Sequence, residues 1–392
     1  MNEAKVSIVK AYEYDYAQLY EAIGKSIKLI GGLERVIKPG DRVFVKINHL
    51  SPASLPEKGI ITHPIFVQAV LELLKTVAAD ITVGDDIESD NGDGFQVSGF
   101  RQMCERVGVR LVNFKEAGFV ERRCDGHFLD KVYLAADVLD ADVVINLPKL
   151  KTHSLTVLTC GVKNMYGAIP AGLRTRFHGE YIRNEDFSQV VVDIFAAIKP
   201  QLTIVDGVVA MEGEGPAGGG LNHAGVILAS EDAVALDVVA ARIMGLNPAD
   251  VYTTRYGDER GLGVGNLQHV EVLGEIIESA VIPGFKSPSS ANSALLRMVP
   301  GFLARELVGE LSVRPRVIKG HCTGCSKCEK ICPVGAISMN NKKANINRSI
   351  CIRCMCCHEV CRFNAIKPTR SLLGNIMRFA GIILEKLGMI SD

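Results

Sequence analysis

The chain has 392 residues and 47% of them are hydrophobic, which predicts roughly two or three globular domains. Lys plus Arg and Asp plus Glu each total 44, so the formal net charge is zero and the composition does not favour a nucleic-acid-binding protein. The first residues contain no apolar signal-peptide core and no cleavage site, so we expect a cytoplasmic location.

Strand-like and helix-like segments alternate from the N-terminus to about residue 285. The pattern predicts strands at 6–9, 42–47, 81–83, 109–114, 142–147, 202–205, 226–229 and 270–273. It predicts helices at 16–30, 65–77, 99–107, 187–198 and 232–244, and one more after Asn247-Pro248. Thr62 is expected to cap the second helix, which has Pro64 in its first turn. This alternation indicates an α/β domain over residues 1–285, with a mainly parallel sheet and helices on both faces.

Two further segments are predicted outside this domain and outside the cysteine-rich region. Residues 286–317 are expected to form a linker that contains an apolar helix. The tail at 371–390 approaches the length of a transmembrane helix, about 20 residues, but it includes Arg378, Glu385 and Lys386. We therefore expect no transmembrane span but an amphipathic helix over 370–392, packed on the protein or on a partner. Peripheral membrane contact through 371–390 is the alternative.

Nine of the twelve cysteines lie between Cys322 and Cys361. Eight of them form two runs with the spacing C-x2-C-x2-C-x3-C, which are Cys322, Cys325, Cys328 and Cys332, and Cys351, Cys354, Cys357 and Cys361. In a chain without an export signal, such density favours metal or cluster ligation over disulfides. Zinc usually takes two separated pairs of ligands, whereas one tight run can hold three corners of an iron–sulfur cube. The spacing therefore predicts two [4Fe–4S] clusters.

Residues 318–369 resemble a bacterial ferredoxin domain with two [4Fe–4S] clusters, and the first run also has the trailing proline of that family, Pro333. The two halves form an internal repeat in which Ala336 corresponds to Ala365 and Ile337 to Ile366. The resemblance implies a small α+β domain in which each run gives its fourth cysteine to the other cluster. One cluster would be bound by Cys322, Cys325, Cys328 and Cys361, and the other by Cys351, Cys354, Cys357 and Cys332.

Three residues complicate the resemblance. Cys361 is followed by Arg362 and not by proline. Arg353 and Arg362 either place positive charge beside the second cluster, which would favour its reduced form, or lie in solvent. Cys356 is either a spare thiol or an exchangeable ligand.

Polar residues gather where the predicted strands end. Lys149, Lys151 and His153 follow the strand at 142–147, with Lys163 ten residues further on, and Asp206 and Glu212 follow the strand at 202–205. Equivalent positions are held by Lys46, Asn48, Asp85, Asp86, Asn146, Asn164 and Glu214. Any one of them is compatible with a solvated loop, but ligands of open α/β sheets bind beyond the carboxyl ends of strands. Together they predict a pocket for a small anionic metabolite, with acids for proton transfer or a divalent metal.

The stretch Gly213-x-Gly215-x-x-Gly218 matches the dinucleotide fingerprint but is not interpreted as one. A strand pattern follows it where the fingerprint requires a helix, and Glu212 and Glu214 would repel a pyrophosphate. We interpret it as a flexible loop that covers a site.

The large domain resembles the family called domain of unknown function 362. The resemblance rests on Lys46-x-Asn48, Leu147-Pro-Lys-Leu-Lys-Thr-His153, Lys163-Asn164-x-x-Gly167 and Met211-Glu-Gly-x-Gly-Pro216, and it covers about residues 4–280. Members of that family often carry a ferredoxin-like extension, but the family has no established activity. The resemblance therefore implies a domain and not a reaction.

Three functions follow from these observations. The first is an iron–sulfur electron carrier or ferredoxin-linked oxidoreductase that works with a redox partner protein and has its substrate site in the α/β domain. The second is a non-redox enzyme that acts on an anionic metabolite and has structural clusters. The third is a cluster-bearing scaffold or assembly factor. The paired cluster motif favours the first.

Overall fold

The computed structural model describes residues 4–50, 54–78, 80–87, 93–181, 183–288, 314–332, 334–351, 353, 355–361, 363 and 365–369. The helices expected within 286–317 and over 370–392 fall outside these residues, as do Pro333, Cys354 and Arg362. Among the described residues, no helix has both the length and the apolar character needed to cross a bilayer.

The α/β domain is built on one mixed sheet. Its strands are β1 (Ala4–Lys10), β2 (Arg42–Ile47), β3 (Asp80–Asp85), β4 (Arg110–Asn113), β7 (Val143–Leu147), β8 (Lys149–His153), β9 (Val157–Thr159), β10 (Leu202–Glu212), β11 (Gly220–Asn222), β12 (Val226–Ser230) and β13 (Val270–Gly274). Between β4 and β7, the strands β5 (Phe119–Arg123) and β6 (Lys131–Ala135) form a separate antiparallel pair.

The main path of the sheet runs in the order β13-β1-β12-β10-β7-β2-β3-β4. The strands from β10 to β4 are parallel to their neighbours, and β13 is parallel to β1. Only β12 on this path runs antiparallel, to both β1 and β10. A mainly parallel sheet is therefore confirmed.

Helices cover both faces of the sheet. They are α1 (Tyr16–Leu29), α2 (Pro64–Leu74), α3 (Gly94–Val97), α4 (Phe100–Val107), α5 (Phe114–Ala117), α6 (Ala136–Asp140), α7 (Gly161–Asn164), α8 (Ala171–Glu180), α9 (Asn184–Ile198), α10 (Ala233–Ile243), α11 (Tyr252–Glu259) and α12 (Ile277–Ala280). Short 3-10 helices lie at Leu33–Arg35, Pro56–Lys58, Met165–Ala168, Pro248–Asp250 and Leu267–His269.

The alternation of side chains along β2 shows how the two faces are filled. Val43 and Val45 pack in a core with Leu19 of α1 and Phe66 of α2. Phe44 points to the opposite face, into a core that includes residues of α9. Lys46 lies two residues after Phe44 and therefore on the same face, at the carboxyl end of the strand. Alternation thus carries a lysine into a buried position.

Two local predictions differ from the structure. His63, and not Thr62, caps α2, because its ring Nδ1 accepts a hydrogen bond from the amide of Ile65 at 3.2 Å. The Thr62 hydroxyl instead donates to Leu147 O at 2.7 Å. The strand at 202–205 extends to Glu212, since its second half pairs with β8, β11 and β12. Asp206 therefore lies within β10, and Lys149–His153 form strand β8.

The described residues between 314 and 369 form a compact cysteine module. It contains the antiparallel pairs β14 (Arg314–Val317) with β17 (Ile366–Thr369) and β15 (Ile337–Asn340) with β16 (Lys343–Ile346). Two short helices, α13 (Lys327–Ile331) and α14 (Cys356–Glu359), follow the cysteine loops. The predicted small C-terminal domain is confirmed.

Candidate functional site

The motif cysteines line two separate cavities in the cysteine module. One cavity is lined by Cys322, Cys325, Cys328 and Cys361. The other is lined by Cys332, Cys351 and Cys357, together with Cys356 and Arg353. Cys354, the remaining predicted ligand, lies outside the described residues. Each run thus sends its fourth cysteine to the cavity that the other run lines.

The backbone around the two cavities repeats with the sequence. Ser326 and Met355, at equivalent positions, both adopt the left-handed conformation, with φ of 58° and 61°. The amide of Ala336 lies 3.1 Å from Cys332 Sγ, and the amide of Ala365 lies 3.2 Å from Cys361 Sγ. Backbone donors of this kind stabilise thiolates and tune the potential of a cluster. The thiol sets and the donors therefore fit iron–sulfur clusters.

The described residues contain no three His, Cys, Asp or Glu side chains close enough together to hold a single metal ion. A cluster makes no such demand, because each of its irons takes one thiolate at a different corner.

The cysteine module lies over the carboxyl end of the sheet, where a cavity of about 140 Å³ separates it from the α/β domain. We call this the interface cavity. On the module side it is lined by Ile331, Cys356 and Val360, and Pro216 of the β10–β11 loop also reaches it. Cys356 therefore lines two cavities, the second thiol cavity and the interface cavity.

A buried ion pair lies at the strand ends beneath the interface cavity. Lys46 Nζ of β2 lies 2.8 Å from Asp85 Oδ2 of β3, and both side chains are 1% exposed. Burial lowers the pKa of the Lys46 ammonium and raises the pKa of the Asp85 carboxyl. A side chain at Gly167 would contact both groups, so glycine is needed for this close approach of the chain. The pair is held where it could exchange a proton with a ligand.

Five more of the predicted strand-end residues line the interface cavity, namely Asn48, Lys151, His153, Lys163 and Asn164. Lys151 Nζ donates to Ile60 O at 2.7 Å, and Lys163 Nζ lies 4.1 Å from the centre of the Tyr166 ring. The His153 ring accepts from the amides of Leu155 and Thr156 through Nδ1, which places the proton of the neutral ring on Nε2.

Lys149 and Asp206 meet in a different place. Lys149 Nζ lies 2.9 Å from Asp206 Oδ2, with side chains 1% and 0% exposed. The Tyr14 hydroxyl donates to Asp206 Oδ1 at 2.9 Å, and the amide of His63 donates to Oδ2 at 2.9 Å. The rings of Tyr14 and His63 stack with centroids 3.7 Å apart. Neither Lys149 nor Asp206 lines the interface cavity.

Glu212, the last predicted site residue, lies at the end of β10. Its carboxylate accepts from Asn222 Nδ2 at 2.9 Å and pairs with Lys286 Nζ at 3.0 Å. Burial opposes its ionisation, but the hydrogen bonds from Asn222 and Lys286 outweigh that effect and lower the pKa of Glu212. These contacts fasten the start of the linker to the sheet.

The β10–β11 loop contributes to the contact between the two parts of the chain. His358 of α14 is 1% exposed, and its ring nitrogens lie 2.8 Å from Ile366 O and 3.2 Å from Glu214 O. Gly215 follows at a point where any Cβ would overlap the carbonyl of Thr152. The loop then enters a strand and not a helix, as its sequence indicates.

Sequence reasoning missed several residues of the interface cavity. The residues of this kind that line it are His49, Thr159, Tyr166, Arg174 and His178. Only His49 had a usable signal, since it comes directly after the Lys46-x-Asn48 motif. The others reach the site through β9, the 3-10 helix at Met165–Ala168 and α8, which periodicity did not reveal.

Comparisons with known proteins place both parts of the chain. The model of the family described as domain of unknown function (DUF362) matches residues 43–242. The model of the family described as 4Fe-4S binding domain matches residues 315–338, so the cysteine module is an iron–sulfur domain.

Two kinds of relative are found. The thylakoid-associated protein sll1697 of Synechocystis is 32% identical over 259 residues, which are 66% of this chain and 79% of that protein. A component of an ion-translocating oxidoreductase complex from Methanosarcina acetivorans is 44% identical over 46 residues, 12% of this chain and 17% of its own length. Hydrogenase-4 component A of Escherichia coli is 40% identical over 55 residues, 14% of this chain and 26% of its own length.

Solved structures are only weakly similar. The lactate racemase apoprotein of Thermoanaerobacterium thermosaccharolyticum matches with a TM-score of 0.37 and 10% identity, over 54% of this chain and 51% of that one. At this TM-score the similarity says nothing about function. The DUF362 model matches just over half of the chain, so the chain belongs to the DUF362 family, with an iron–sulfur domain following the family's own.

Proposed function

We propose that this protein is a ferredoxin-type electron-transfer protein with two [4Fe–4S] clusters and a substrate site in its α/β domain. The observation that carries the proposal is the division of the motif thiols between two cavities in one small module. One cluster takes Cys322, Cys325, Cys328 and Cys361, and the other takes Cys332, Cys351, Cys354 and Cys357. Two clusters in so small a module lie close enough to pass electrons from one to the other.

The relatives of the cysteine module support a role with a redox partner protein. They are named as part of an ion-translocating oxidoreductase complex and as a hydrogenase component. By analogy, the clusters here receive electrons from a partner or deliver electrons to one. The interface cavity supports an oxidoreductase over a plain carrier or a scaffold, because it joins the cluster-binding module to the polar strand ends of the α/β domain.

The experiment is anaerobic purification followed by iron and sulfide analysis and electron paramagnetic resonance. We expect about eight irons per chain and a [4Fe–4S] signal after reduction with dithionite. Pairs of Cys→Ala substitutions test the ligand sets. Cys322→Ala with Cys361→Ala removes two ligands of the same cluster, so about four irons remain. Cys322→Ala with Cys332→Ala removes one ligand from each cluster, so both are lost.

The opposite result for the two pairs would show that each run holds its own cluster. Cys356→Ala is the matched control, since it removes a neighbouring thiol that belongs to neither set, and about eight irons should remain. Clusters that assemble but never change oxidation state would refute electron transfer and leave the alternative of a non-redox enzyme with structural clusters.

A further inference from the structure

The two cysteine runs have different surroundings in the structure, although their sequences repeat. In the second run, Cys356 and His358 are 4% and 1% exposed, and His358 lies against the β10–β11 loop of the α/β domain. The equivalent positions of the first run hold Lys327 and Glu329, which are only half-buried. The second run is therefore turned towards the α/β domain, and the first run is more open to solvent.

The first run leaves one ligand of its proposed cluster at the surface. Cys325 lines the thiol cavity that also contains Cys361, and both Cys325 and Thr323 beside it are exposed. We call residues 323–325 the exposed edge. Electron transfer between proteins slows steeply as the distance between their redox centres grows, so a partner exchanges electrons fastest where a cluster ligand is accessible. The exposed edge is therefore where electrons can enter or leave this cluster.

The cysteine module is strongly basic, although the whole chain has no net charge. Residues 314–369 contain eleven Lys or Arg residues and only two acidic residues, Glu329 and Glu359, an excess of nine positive charges. The other 33 of the 44 basic residues and 42 of the 44 acidic residues lie elsewhere in the chain. Two oxidised clusters with their thiolates add roughly four negative charges, so the loaded module remains positive.

The segments that flank the module in the sequence do not neutralise this charge. Residues 289–313 contain two basic and two acidic residues, and residues 370–392 contain three basic and two acidic ones. Within the module, five basic residues are exposed and form no ion pair with another described residue, namely Arg316, Lys319, Lys330, Lys342 and Arg348. The positive charge is therefore displayed on the surface of the module.

Part of this charge borders the exposed edge. Lys342 packs beside Gly324, where an added Cβ would lie 2.6 Å from the carbonyl oxygen of Lys342. The next residue, Lys343, donates a hydrogen bond from its Nζ to Cys322 O. Lys319 is exposed in the turn that leads directly into Cys322. Lysine residues thus surround the place where a partner can approach the cluster most closely.

From these observations we infer that the exposed edge docks a one-electron redox protein whose own docking surface is acidic. Opposite charges steer the partner to the edge, and one electron then passes between its redox centre and the cluster, which changes between [4Fe–4S]1+ and [4Fe–4S]2+. The inference deepens the proposed function and rests on it, because it requires reducible clusters. Anionic membranes and nucleic acids are also attracted by positive charge, but neither exchanges electrons with the cluster ligand that this charge borders.

Two haem proteins of opposite charge test the inference by anaerobic stopped-flow spectroscopy. The cluster-loaded chain is reduced with dithionite, desalted and mixed with cytochrome b5, which is acidic, or with cytochrome c, which is basic. Each accepts one electron at its ferric haem while a cluster is oxidised. We expect the rate constant for cytochrome b5 to fall at least about tenfold between about 20 and 500 mM salt, and that for cytochrome c not to fall. A rate for cytochrome c that falls as steeply would overturn the inference.

Two pairs of substitutions connect the salt dependence to the exposed edge. Lys319→Gln with Lys342→Gly removes two lysines beside the edge, and glycine suits the left-handed backbone of residue 342, whose φ is 57°. The matched control, Lys25→Gln with Lys28→Gln, removes two exposed lysines from the half of α1 that leads to the amino end of β2. We expect the first pair to slow cytochrome b5 reduction at low salt about fivefold and the control to change it less than about twofold. Equal rates for the two pairs would overturn the docking site.

The remaining outcomes separate this inference from its alternatives and from the proposed function. Phosphatidylglycerol vesicles or a DNA duplex could bind the chain through Lys319 and Lys342 while cytochrome b5 reduction is independent of salt. That result would assign the surface to a membrane or to nucleic acid and overturn the inference. Clusters that dithionite reduces, with no salt dependence and no such binding, would overturn the inference and leave the proposed function intact. Clusters that dithionite cannot reduce would overturn the proposed function, and this inference with it.

Discussion

In the structure, Lys149 and Asp206 form a buried ion pair away from the interface cavity that the other predicted lysines line. Substitutions in this pair test that separation directly. Replacing Lys149 by Met keeps an unbranched side chain as far as the ε-carbon but removes the ammonium group. Among the described residues, the Asp206 carboxylate is then left with the Tyr14 hydroxyl and the His63 amide as its partners. Because neither group is in the interface cavity, the effect should appear in stability and not in ligand binding.

The magnitude follows from the burial of the pair. Both side chains are at most 1% exposed and the charged atoms are 2.9 Å apart, so removing one partner should cost about 3–5 kcal/mol. The matched variant adds Asp206→Asn to Lys149→Met. The amide oxygen can still accept from Tyr14 and His63, but no unpaired charge remains. The double variant should therefore cost only about 1–2 kcal/mol.

Urea unfolding of the cluster-loaded chain, followed by far-ultraviolet circular dichroism, measures both variants. Iron analysis on the same samples checks that the cysteine module is intact. The reasoning would be refuted by a double variant as unstable as the single one, because the cost would then come from lost packing or hydrogen bonds and not from an unpaired charge.

Two further predictions concern pH and docking. Burial, with smaller effects from Lys46 and Lys151, lowers the pKa of His49 from 6.5 to about 3. Between these two values the unfolded chain binds one more proton than the folded chain, so the free energy of unfolding decreases as the pH falls from 6.5 to about 3. Over that range the wild type should lose up to about 1.4 kcal/mol of unfolding free energy per pH unit more than His49→Gln, as measured by urea unfolding. Parallel plots of unfolding free energy against pH for the two proteins would contradict this. Gly215→Ala should displace the loop that contacts His358 and lower the thermal midpoint by about 2 °C or more. Gly172→Ala, whose added methyl meets open space, should leave the midpoint unchanged. Equal midpoints for the two variants would show that the loop tolerates the change.

Most of the sheet could be predicted because its strands are short apolar runs between clear helix signals. The strand predicted at 42–47 matches β2 residue for residue, and those that form β3 and β7 differ only at their ends. Strands β8 and β9 could not be predicted in this way, since Lys149–His153 has the polar composition of a loop. The segment becomes a strand because β10 pairs with it on one side and β9 on the other.

The candidate site was predicted only in part, for a similar reason. Lys149 and Lys151 are two residues apart and carry the same charge, so sequence alone assigned them to one pocket. In the structure, Tyr14 and Asp206 surround the first, while the second lines the interface cavity. The polar partner of a buried lysine is supplied by segments that are distant in sequence. The hydrophobic periodicity of the sequence does not predict which segments these are.

The cysteine spacing by itself determined that this protein handles iron and sulfur, because the tight repeat of thiols is local and its chemistry demands that spacing. The alternation of strands and helices likewise determined the fold class. Only the tertiary structure decided that the cysteine module covers the carboxyl end of the sheet and encloses a small polar cavity there. That arrangement depends on contacts such as His358 with Glu214, which join residues separated by 144 positions in the chain.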